Sequence, residues 1–260
     1  MYITPSIETR KKSGNRTIVI AGGKTRDMLS LSVLLERFAY KVHSAYSAPQ
    51  ALELVSSVRP ALVIADPILA GASRSDLLHQ LLQQDRAVAS IPVIYMVFPS
   101  DAAMEQKCLA YGAAGCISKP VQAEELFHAV QAAIEPNPRA DIRIDTRLPV
   151  SLDNVPLECP EDEGQCTIDL SEHGMYVPMT EPYARNRRLT VRIWIKGQTI
   201  SAEGSVMYSR TSAAGFGRRP GMGLKFIAIT PQDQACIRKF VRDEVMLDVN
   251  AALIRAEQVV

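Results

Sequence analysis

The sequence predicts an α/β domain followed by a β domain: a doubly wound, five-stranded parallel sheet, then a small antiparallel β-barrel and a long C-terminal helix. Short apolar runs alternate with stretches of helical periodicity over residues 17–135, as in a parallel sheet with helices on both faces. Two prolines, Pro136 and Pro138, then end the last helix of this pattern. Over residues 142–229, short alternating segments are separated by glycine, proline and acidic clusters, which is typical of small antiparallel barrels.

The first domain is predicted to contain five strands and five helices. The apolar run at 61–65 is continuous, which indicates a strand covered on both faces. Helical periodicity is clearest where Met28, Leu31, Leu34 and Phe38 recur at intervals of three or four residues. The predicted strands are 18–20, 41–45, 61–65, 92–97 and 115–118, and the predicted helices are 28–38, 49–58, 75–84, 102–111 and 121–134.

The second domain is predicted from strand-like alternation between turn residues. Its strands are expected at 149–152, 165–170, 175–177, 190–195, 200–209 and 223–229. Trp194 alternates with Ile193 and Ile195, so we expect it to pack inside the barrel. A helix from residue 231 to about residue 257 carries apolar residues on more than one side. This helix is longer than is needed to cover one end of the barrel. We therefore expect its distal part to pack on the first domain or on a second subunit.

These patterns divide the chain into five segments. Residues 1–16 form a disordered basic tail, 17–135 the parallel-sheet domain, 136–143 a linker, 144–230 the barrel and 231–260 the C-terminal helix. The tail has no apolar core after its basic residues, and no apolar run in the chain reaches the ~18 residues of a membrane span. We therefore expect a cytoplasmic protein.

Composition narrows the class of protein further. The 260 residues are 47% hydrophobic with a formal net charge of +1, which is typical of a globular protein and argues against bulk electrostatic binding of nucleic acid or an acidic membrane. The cysteines are scattered and form no CxxC pair, so we expect reduced thiols rather than disulfides or a zinc site. They are Cys108, Cys116, Cys159, Cys166 and Cys236.

Four stretches of the first domain match a known family. They are the apolar strand 60–66 ending in Asp66, then 69–71, 91–94 and Ser118-Lys119-Pro120. On these residues the domain resembles the receiver domain of two-component response regulators. The resemblance implies that Asp66 falls at the phosphoacceptor position, and that Lys119, with a cis peptide to the following proline, falls at the position that holds the phosphate.

The chemistry of a receiver is incomplete around Asp66. Phosphoryl transfer to a carboxylate needs a magnesium ion, and receivers hold this ion with an acidic pair at the end of the first strand. Here the pair is replaced by Ala21 and Gly22, and the family's hydroxyl position in the fourth strand falls on Val97. We therefore predict a degenerate receiver with no metal site, in which Asp66 and Lys119 pair with each other as a structural remnant.

Two motifs characterise the second domain. Arg139 and Arg143 form an RxxxR at its entrance, and Asp169, Ser171 and Gly174 form a complete DxSxxG between two predicted strands. On these residues the domain resembles the PilZ family. The resemblance implies a receptor that binds cyclic di-GMP through the five motif residues.

The residue types of the two motifs fit that ligand. An arginine fork matches O6 and N7 of guanine, and one carboxylate can accept hydrogen bonds from both N1–H and N2–H of guanine. Adenine presents an unprotonated N1 at that edge, so Arg139, Arg143 and Asp169 together favour guanine. Ser171 offers a short hydroxyl, and Gly174 either allows a close approach of backbone or takes a positive φ.

The chain is accordingly predicted to be a cyclic di-GMP effector and not an enzyme. No catalytic constellation is visible, no cofactor other than the ligand is expected, and His173 is interpreted as a surface histidine. Ligand binding would order the linker and fix the orientation of the two domains, so that an unidentified protein partner reads the new surface, with a homodimer expected. The resemblance implies motility, surface polysaccharide or biofilm control as the output. The alternatives are a response regulator in which phosphorylation of Asp66 gates the second domain, and a ligand-free docking scaffold.

Overall fold

The computed structural model describes residues 16–69, 86–157, 166–211 and 220–257. The predicted basic tail apart from Arg16, the predicted helix at 75–84 and Cys159 lie outside these ranges. The chain forms two compact units, one made of Met1–Ala140 with Met246–Val260 and the other of Asp141–Val245. Among the described helices, none combines the length and the apolar composition that a membrane span requires.

The first unit contains a parallel five-stranded sheet, as the sequence predicts. Its strands are β1 (Thr17–Ala21), β2 (Lys41–Ala45), β3 (Leu62–Ala65), β4 (Val93–Val97) and β5 (Gly115–Ser118). Their order in the sheet is β2-β1-β3-β4-β5, which is one of the common orders of doubly wound folds. The described helices of this unit are α1 (Arg26–Arg37), α2 (Ala48–Val58), α3 (Arg86–Ala89), α4 (Ala102–Ala110) and α5 (Ala123–Ile134).

Burial and capping explain why these elements could be predicted. Every residue of β3 and β4 is buried, in keeping with the continuous apolar runs. Side chains of Thr25, Ser47 and Asp101 accept hydrogen bonds from backbone N–H groups and cap α1, α2 and α4. Arg16, the last residue of the predicted tail, is hydrogen-bonded to the sheet: its carbonyl accepts a 2.9 Å hydrogen bond from the backbone N–H of Lys41, the first residue of β2.

Cysteines in the described residues include three free thiols, namely Cys108, Cys116 and Cys236. Burial raises the pKa of Cys108 and raises that of Cys116 to about 11. Both thiols therefore stay protonated near neutral pH and are poor nucleophiles.

The second unit is one curled antiparallel sheet of half-barrel shape, which confirms the predicted change of architecture. Its strands are β6 (Ile144–Leu148), β7 (Val150–Leu152), β8 (Val155–Pro156), β9 (Cys166–Ser171), β10 (Gly174–Pro178), β11 (Arg188–Ile195), β12 (Gln198–Arg210) and β13 (Gly221–Ile229). The order across the sheet is β6-β9-β10-β13-β12-β11-β7-β8.

Three details of this sheet differ from the prediction. Strand β6 was not predicted, because only Ile144 and Leu148 are buried in it and three polar residues lie between them. The two-residue strand β8 was also missed, since Val155 in it is 65% exposed. The expectation for Trp194 is wrong: its neighbours Ile193 and Ile195 are buried, so the period-two alternation of β11 places Trp194 on the outer face.

The C-terminal helix α6 spans Pro231–Glu257. Its buried apolar residues recur every one to four positions, which gives it a continuous buried side. They are Ile237, Phe240, Val241, Val245, Val249 and Leu253. Leu247 and Ile254, which are apolar residues on the other sides of the helix, are each 56% exposed. Residues from Met246 onward belong to the first compact unit.

Candidate ligand-binding site

A pocket of about 300 Å³ opens on the sheet of the second unit, a size within the range of small-molecule sites. Four residues predicted from the motifs line it, namely Arg143, Asp169, Ser171 and Gly174. The other lining residues, which the motifs did not predict, are Asp141, His173, Met175, Tyr176, Met207, Tyr208, Gly223, Leu224 and Lys225.

The strand register places Asp169 in a row of residues that crosses the sheet. Successive partners on β6, β9, β10, β13 and β12 are Asp145, Asp169, Tyr176, Gly223 and Tyr208. Directly opposed residues of paired strands project to the same face of a sheet. The carboxylate of Asp169 and the rings of Tyr176 and Tyr208 therefore share one face, and all three residues line the pocket.

A second row explains the spacing within DxSxxG. Ser171, Gly174, Lys225 and Ser205 are successive partners on β9, β10, β13 and β12. Asp169 and Ser171 are two residues apart on β9, so both project to the same face. The motif thus places Asp169 on the face of the sheet that also carries the exposed Lys225, which lies in the neighbouring row. Sequence reasoning missed Lys225 because only the pairing of β10 with β13 reveals it as a neighbour of the motif.

Gly174 is required by the close approach of two strands, and not by a positive φ. A Cβ at this position would lie 2.3 Å from the carbonyl oxygen of Leu224 on β13. Ser171, which is 4% exposed, donates a 3.0 Å hydrogen bond from its hydroxyl to the carbonyl of Gly174. This bond closes the turn that Glu172 and His173 form between β9 and β10. Two residues of the motif therefore shape the hairpin that presents Asp169.

The two arginines of the RxxxR motif belong to different compact units. Arg143 is exposed, immediately precedes β6 and lines the pocket. Arg139 is exposed in the first unit, where its backbone N–H donates a 3.0 Å hydrogen bond to Oε1 of Gln131. It is not among the residues that line the pocket. The structure therefore brings together four of the five predicted binding residues.

Residues between the motif positions form a hydrogen-bonded network. Nδ1 of His173 lies 2.9 Å from both carboxylate oxygens of Asp141. The side-chain nitrogen of Gln234 donates to Oε1 of Glu172 at 2.9 Å and lies 3.0 Å from Nε2 of His173. Arg238 donates two hydrogen bonds of 2.7 Å to Glu172, and these bonds hold the pKa of Glu172 below its usual value. His173 is exposed, as expected, but its partners could not be predicted from its position in the motif.

The same cluster is poorly suited to a metal ion. Asp141, Glu172 and His173 each bring one potential ligand atom within 4.8 Å of the others. The guanidinium of Arg238 already binds both oxygens of Glu172, and its positive charge opposes a second cation at this place. The cluster is better described as an ion-pair network, and two of its members, Asp141 and His173, line the pocket.

At the end of the parallel sheet, Asp66 and Lys119 pair with each other. Nζ of Lys119 lies 2.6 Å from Oδ2 of Asp66, and the two side chains are 9% and 17% exposed. The peptide bond after Lys119 is cis, and the ring of Phe98 lies 5.0 Å from the same ammonium group. Gly22, at one position of the family's acidic pair, is covered by Met28, whose Sδ would lie 2.6 Å from an added Cβ.

Comparison with known proteins matches each unit to a family. The family model described as the response regulator receiver domain matches residues 20–131. The model of the PilZ domain matches residues 137–243.

Several solved structures resemble the first part of the chain. The chemotaxis response regulator CheY4 of Vibrio cholerae is 18% identical, with 46% of this chain and 100% of that chain covered and a TM-score of 0.43. The signal receiver domain of an HD domain-containing protein from Pseudomonas fluorescens Pf-5 is 27% identical, with coverages of 46% and 94% and a TM-score of 0.42. A two-component response regulator from Clostridium difficile is 22% identical, with coverages of 45% and 93% and a TM-score of 0.41.

Proposed function

The chain consists of a response regulator receiver domain followed by a PilZ domain, and we propose that it is a non-enzymatic effector that binds cyclic di-GMP in the pocket of the PilZ domain. The observation that carries the proposal is the pocket on one face of the sheet, which Asp169, Lys225 and Arg143 all line. One carboxylate and two cations are the complement of a ligand that has base N–H donors and two phosphates.

Asp169 determines which base the site binds. Its carboxylate accepts hydrogen bonds from N1–H and N2–H of one guanine, and it would face the lone pair of N1 in adenine. Asp169 is half-buried, so water competes less for its oxygens than at an exposed site and the hydrogen bonds are correspondingly stronger. The discrimination combines attraction of guanine with rejection of adenine.

The cations hold the remainder of the ligand. Arg143 has a planar fork that fits either a phosphate or O6 and N7 of guanine, whereas the ammonium of Lys225 acts as a point charge suited to a phosphate. Arg139 joins the site in the proposed bound state, when the linker closes over the ligand. This closing would give ligand-dependent orientation of the two domains, which an unidentified protein partner reads, with a homodimer as the proposed assembly.

The receiver domain serves as a scaffold in this proposal, and the dinucleotide is the input signal. Support comes from the end of β1, where Met28 covers Gly22 and its Sδ would lie 2.6 Å from an added Cβ. The buried Ala21 and Gly22 supply no side-chain oxygen for a magnesium ion. Motility, surface polysaccharide or biofilm control is the proposed output, by family resemblance, in the cytoplasm.

The proposal is tested by calorimetric titration of the full chain with cyclic di-GMP. A hydrogen bond to a charged group contributes ~1.5–3 kcal/mol, so Arg143→Ala and Asp169→Ala should each weaken binding roughly ten- to a hundredfold. Arg192→Ala is the matched control, because Arg192 is an exposed arginine of β11 that does not line the pocket. Arg139→Ala tests the closing of the linker separately.

The outcomes separate the proposal from its alternatives. The guanine site is supported if binding of cyclic di-GMP is weakened roughly ten- to a hundredfold in the Arg143 and Asp169 variants, is unchanged in the Arg192 variant, and is absent with cyclic di-AMP. A wild-type chain that binds neither dinucleotide overturns the effector function and leaves the docking scaffold. Small-angle scattering with and without ligand tests the change of domain orientation, which superimposable profiles would exclude.

A further inference from the structure

Two tyrosines of the pocket have no part in the contacts proposed so far. Tyr176 on β10 and Tyr208 on β12 flank Gly223 on β13 in the cross-strand row. Adjacent strands lie about 4.7–4.9 Å apart, so two strand spacings separate the backbones of the tyrosines. Their ring centroids are only 6.3 Å apart, with planes 24° from parallel. The rings therefore lean toward each other over the glycine.

A β-bulge in β12 turns Tyr208 toward this face. Along β12, Ile200, Ala202 and Val206 alternate inward and are buried, so unbroken alternation would bury residue 208 as well. Val206 pairs with Leu224 and Tyr208 pairs with Gly223, so Met207 is the extra residue of the bulge. Tyr208 is consequently half-exposed in the pocket instead of buried. Bulges commonly re-aim a side chain in this way beside a functional site.

Gly223 lets the ring of Tyr208 lie directly on the sheet. A Cβ at Gly223 would be 2.4 Å and 2.5 Å from Cε1 and Cζ of Tyr208, so any larger residue would displace the ring. Tyr176, 7% exposed, supports the ring from the far side of the glycine. Bulge, glycine and supporting tyrosine together hold one aromatic surface at the pocket, in the same row as Asp169.

We infer that Tyr208 is the platform on which a guanine of the ligand stacks, with Tyr176 as a positioning residue behind it. The inference rests on the proposed function. Nucleic-acid bases stack on aromatic side chains through their π-faces, and this interaction tolerates any base. Tyr208 therefore supplies affinity without choosing the base, whereas Asp169 chooses guanine.

The first test compares two substitutions of Tyr208 by calorimetry. Tyr208→Leu removes the aromatic face and should weaken cyclic di-GMP binding roughly five- to a hundredfold, and Tyr208→Phe should restore binding to within a few-fold. Gly223→Ala should weaken binding with the ring still present, because the new methyl group displaces it. Thermal unfolding of each variant shows whether the fold is intact.

A spectroscopic readout distinguishes stacking from a merely structural role. The chain has a single tryptophan, Trp194, which does not line the pocket. In a Trp194→Phe background, Tyr208→Trp places the only indole on the proposed platform, and stacking of guanine should quench its fluorescence on addition of cyclic di-GMP. Wild-type Trp194 fluorescence should change far less.

The two possible failures can be told apart. If the wild-type chain does not bind cyclic di-GMP, the proposed function fails and the platform fails with it. If the wild type binds and Asp169→Ala weakens binding as predicted, but folded Tyr208→Leu binds as tightly as wild type or the indole at position 208 is not quenched, then only the platform is wrong.

Discussion

Glu172 in the β9–β10 hairpin accepts two hydrogen bonds of 2.7 Å, from Nε and Nη2 of Arg238 in α6. This bidentate geometry is the one in which a guanidinium group binds a carboxylate most strongly. Gln234 and His173 extend the same network to Asp141, in the segment before β6. Asp141, Glu172 and His173 occupy variable positions of the two motifs. Through them, α6, the β9–β10 hairpin and the segment before β6 are connected.

We predict that Glu172→Gln destabilises the PilZ domain in a pH-dependent manner. A charge-assisted hydrogen bond contributes ~1.5–3 kcal/mol, and because Arg238 is 51% exposed we expect a loss of about 1 kcal/mol at pH 7. Arg238 lowers the pKa of Glu172 in the folded chain. The stabilisation is therefore fully present above the unfolded pKa of about 4.3 and is lost as pH falls through the folded pKa.

Urea unfolding followed by the fluorescence of Trp194 measures this effect, because the single tryptophan lies in the second unit. The difference between wild type and Glu172→Gln should be constant near neutral pH and should shrink below about pH 4. Asp243→Asn is the control, since Asp243 pairs with Lys196 at 3.4 Å through exposed side chains and such pairs contribute little. A difference that persists unchanged at low pH would contradict the role of the ionised pair.

We predict that Gly174→Ala is strongly destabilising although alanine adds a single methyl group. That group would lie 2.3 Å from the carbonyl oxygen of Leu224, so β10 and β13 must separate, at a cost of about 1–3 kcal/mol. Gly115→Ala is the control, because a Cβ there meets nothing within 4 Å. Thermal unfolding should show a loss for the Gly174 variant and almost none for the Gly115 variant. Equal stability of the two would mean that the strands do not approach as described.

Local patterns predicted most of the fold. Strand β3 could be predicted because its apolar run is continuous. The helices could be predicted because their capping residues and their apolar periodicity agree. Strand β6 could not be predicted, because it has polar residues between Ile144 and Leu148. It also lies at the edge of the sheet, where burial is limited. Trp194 was misplaced because alternation identifies two faces but does not say which one is inside.

The candidate site was predictable only where its residues form a motif. Asp169, Ser171 and Gly174 follow one another on a hairpin, so their spacing records the period of a strand. Lys225 and Tyr208 join them only through the pairing of β10 with β13 and of β13 with β12. No local sequence pattern predicts the bulge at Met207. Without the bulge, the alternation along β12 would predict that Tyr208 is a core residue.

We predict that Lys119 is a structural residue of the receiver domain. Lys119→Met leaves the carboxylate of Asp66 largely buried without its cation, and we expect a loss of about 2–4 kcal/mol, since breaking a buried pair is costly. Differential scanning calorimetry should show a lower transition for the receiver domain. In the double variant with Asp66→Asn, much of this loss should be recovered, because no unpaired charge remains. Additive losses in the double variant would show that the two residues do not depend on each other.

We predict that the receiver domain does not take up a phosphoryl group. A phosphoryl analogue such as beryllofluoride needs the carboxylate of Asp66 and a magnesium ion, but the buried Ala21 and Gly22 offer no side-chain ligand for the magnesium ion. Fluorine NMR of the full chain with beryllofluoride and magnesium should show no bound signal, and acetyl phosphate should leave cyclic di-GMP affinity unchanged. A bound signal that disappears in Asp66→Asn would overturn the scaffold role and favour the phosphorylation-gated alternative, because only a functional acceptor site would depend on that carboxylate.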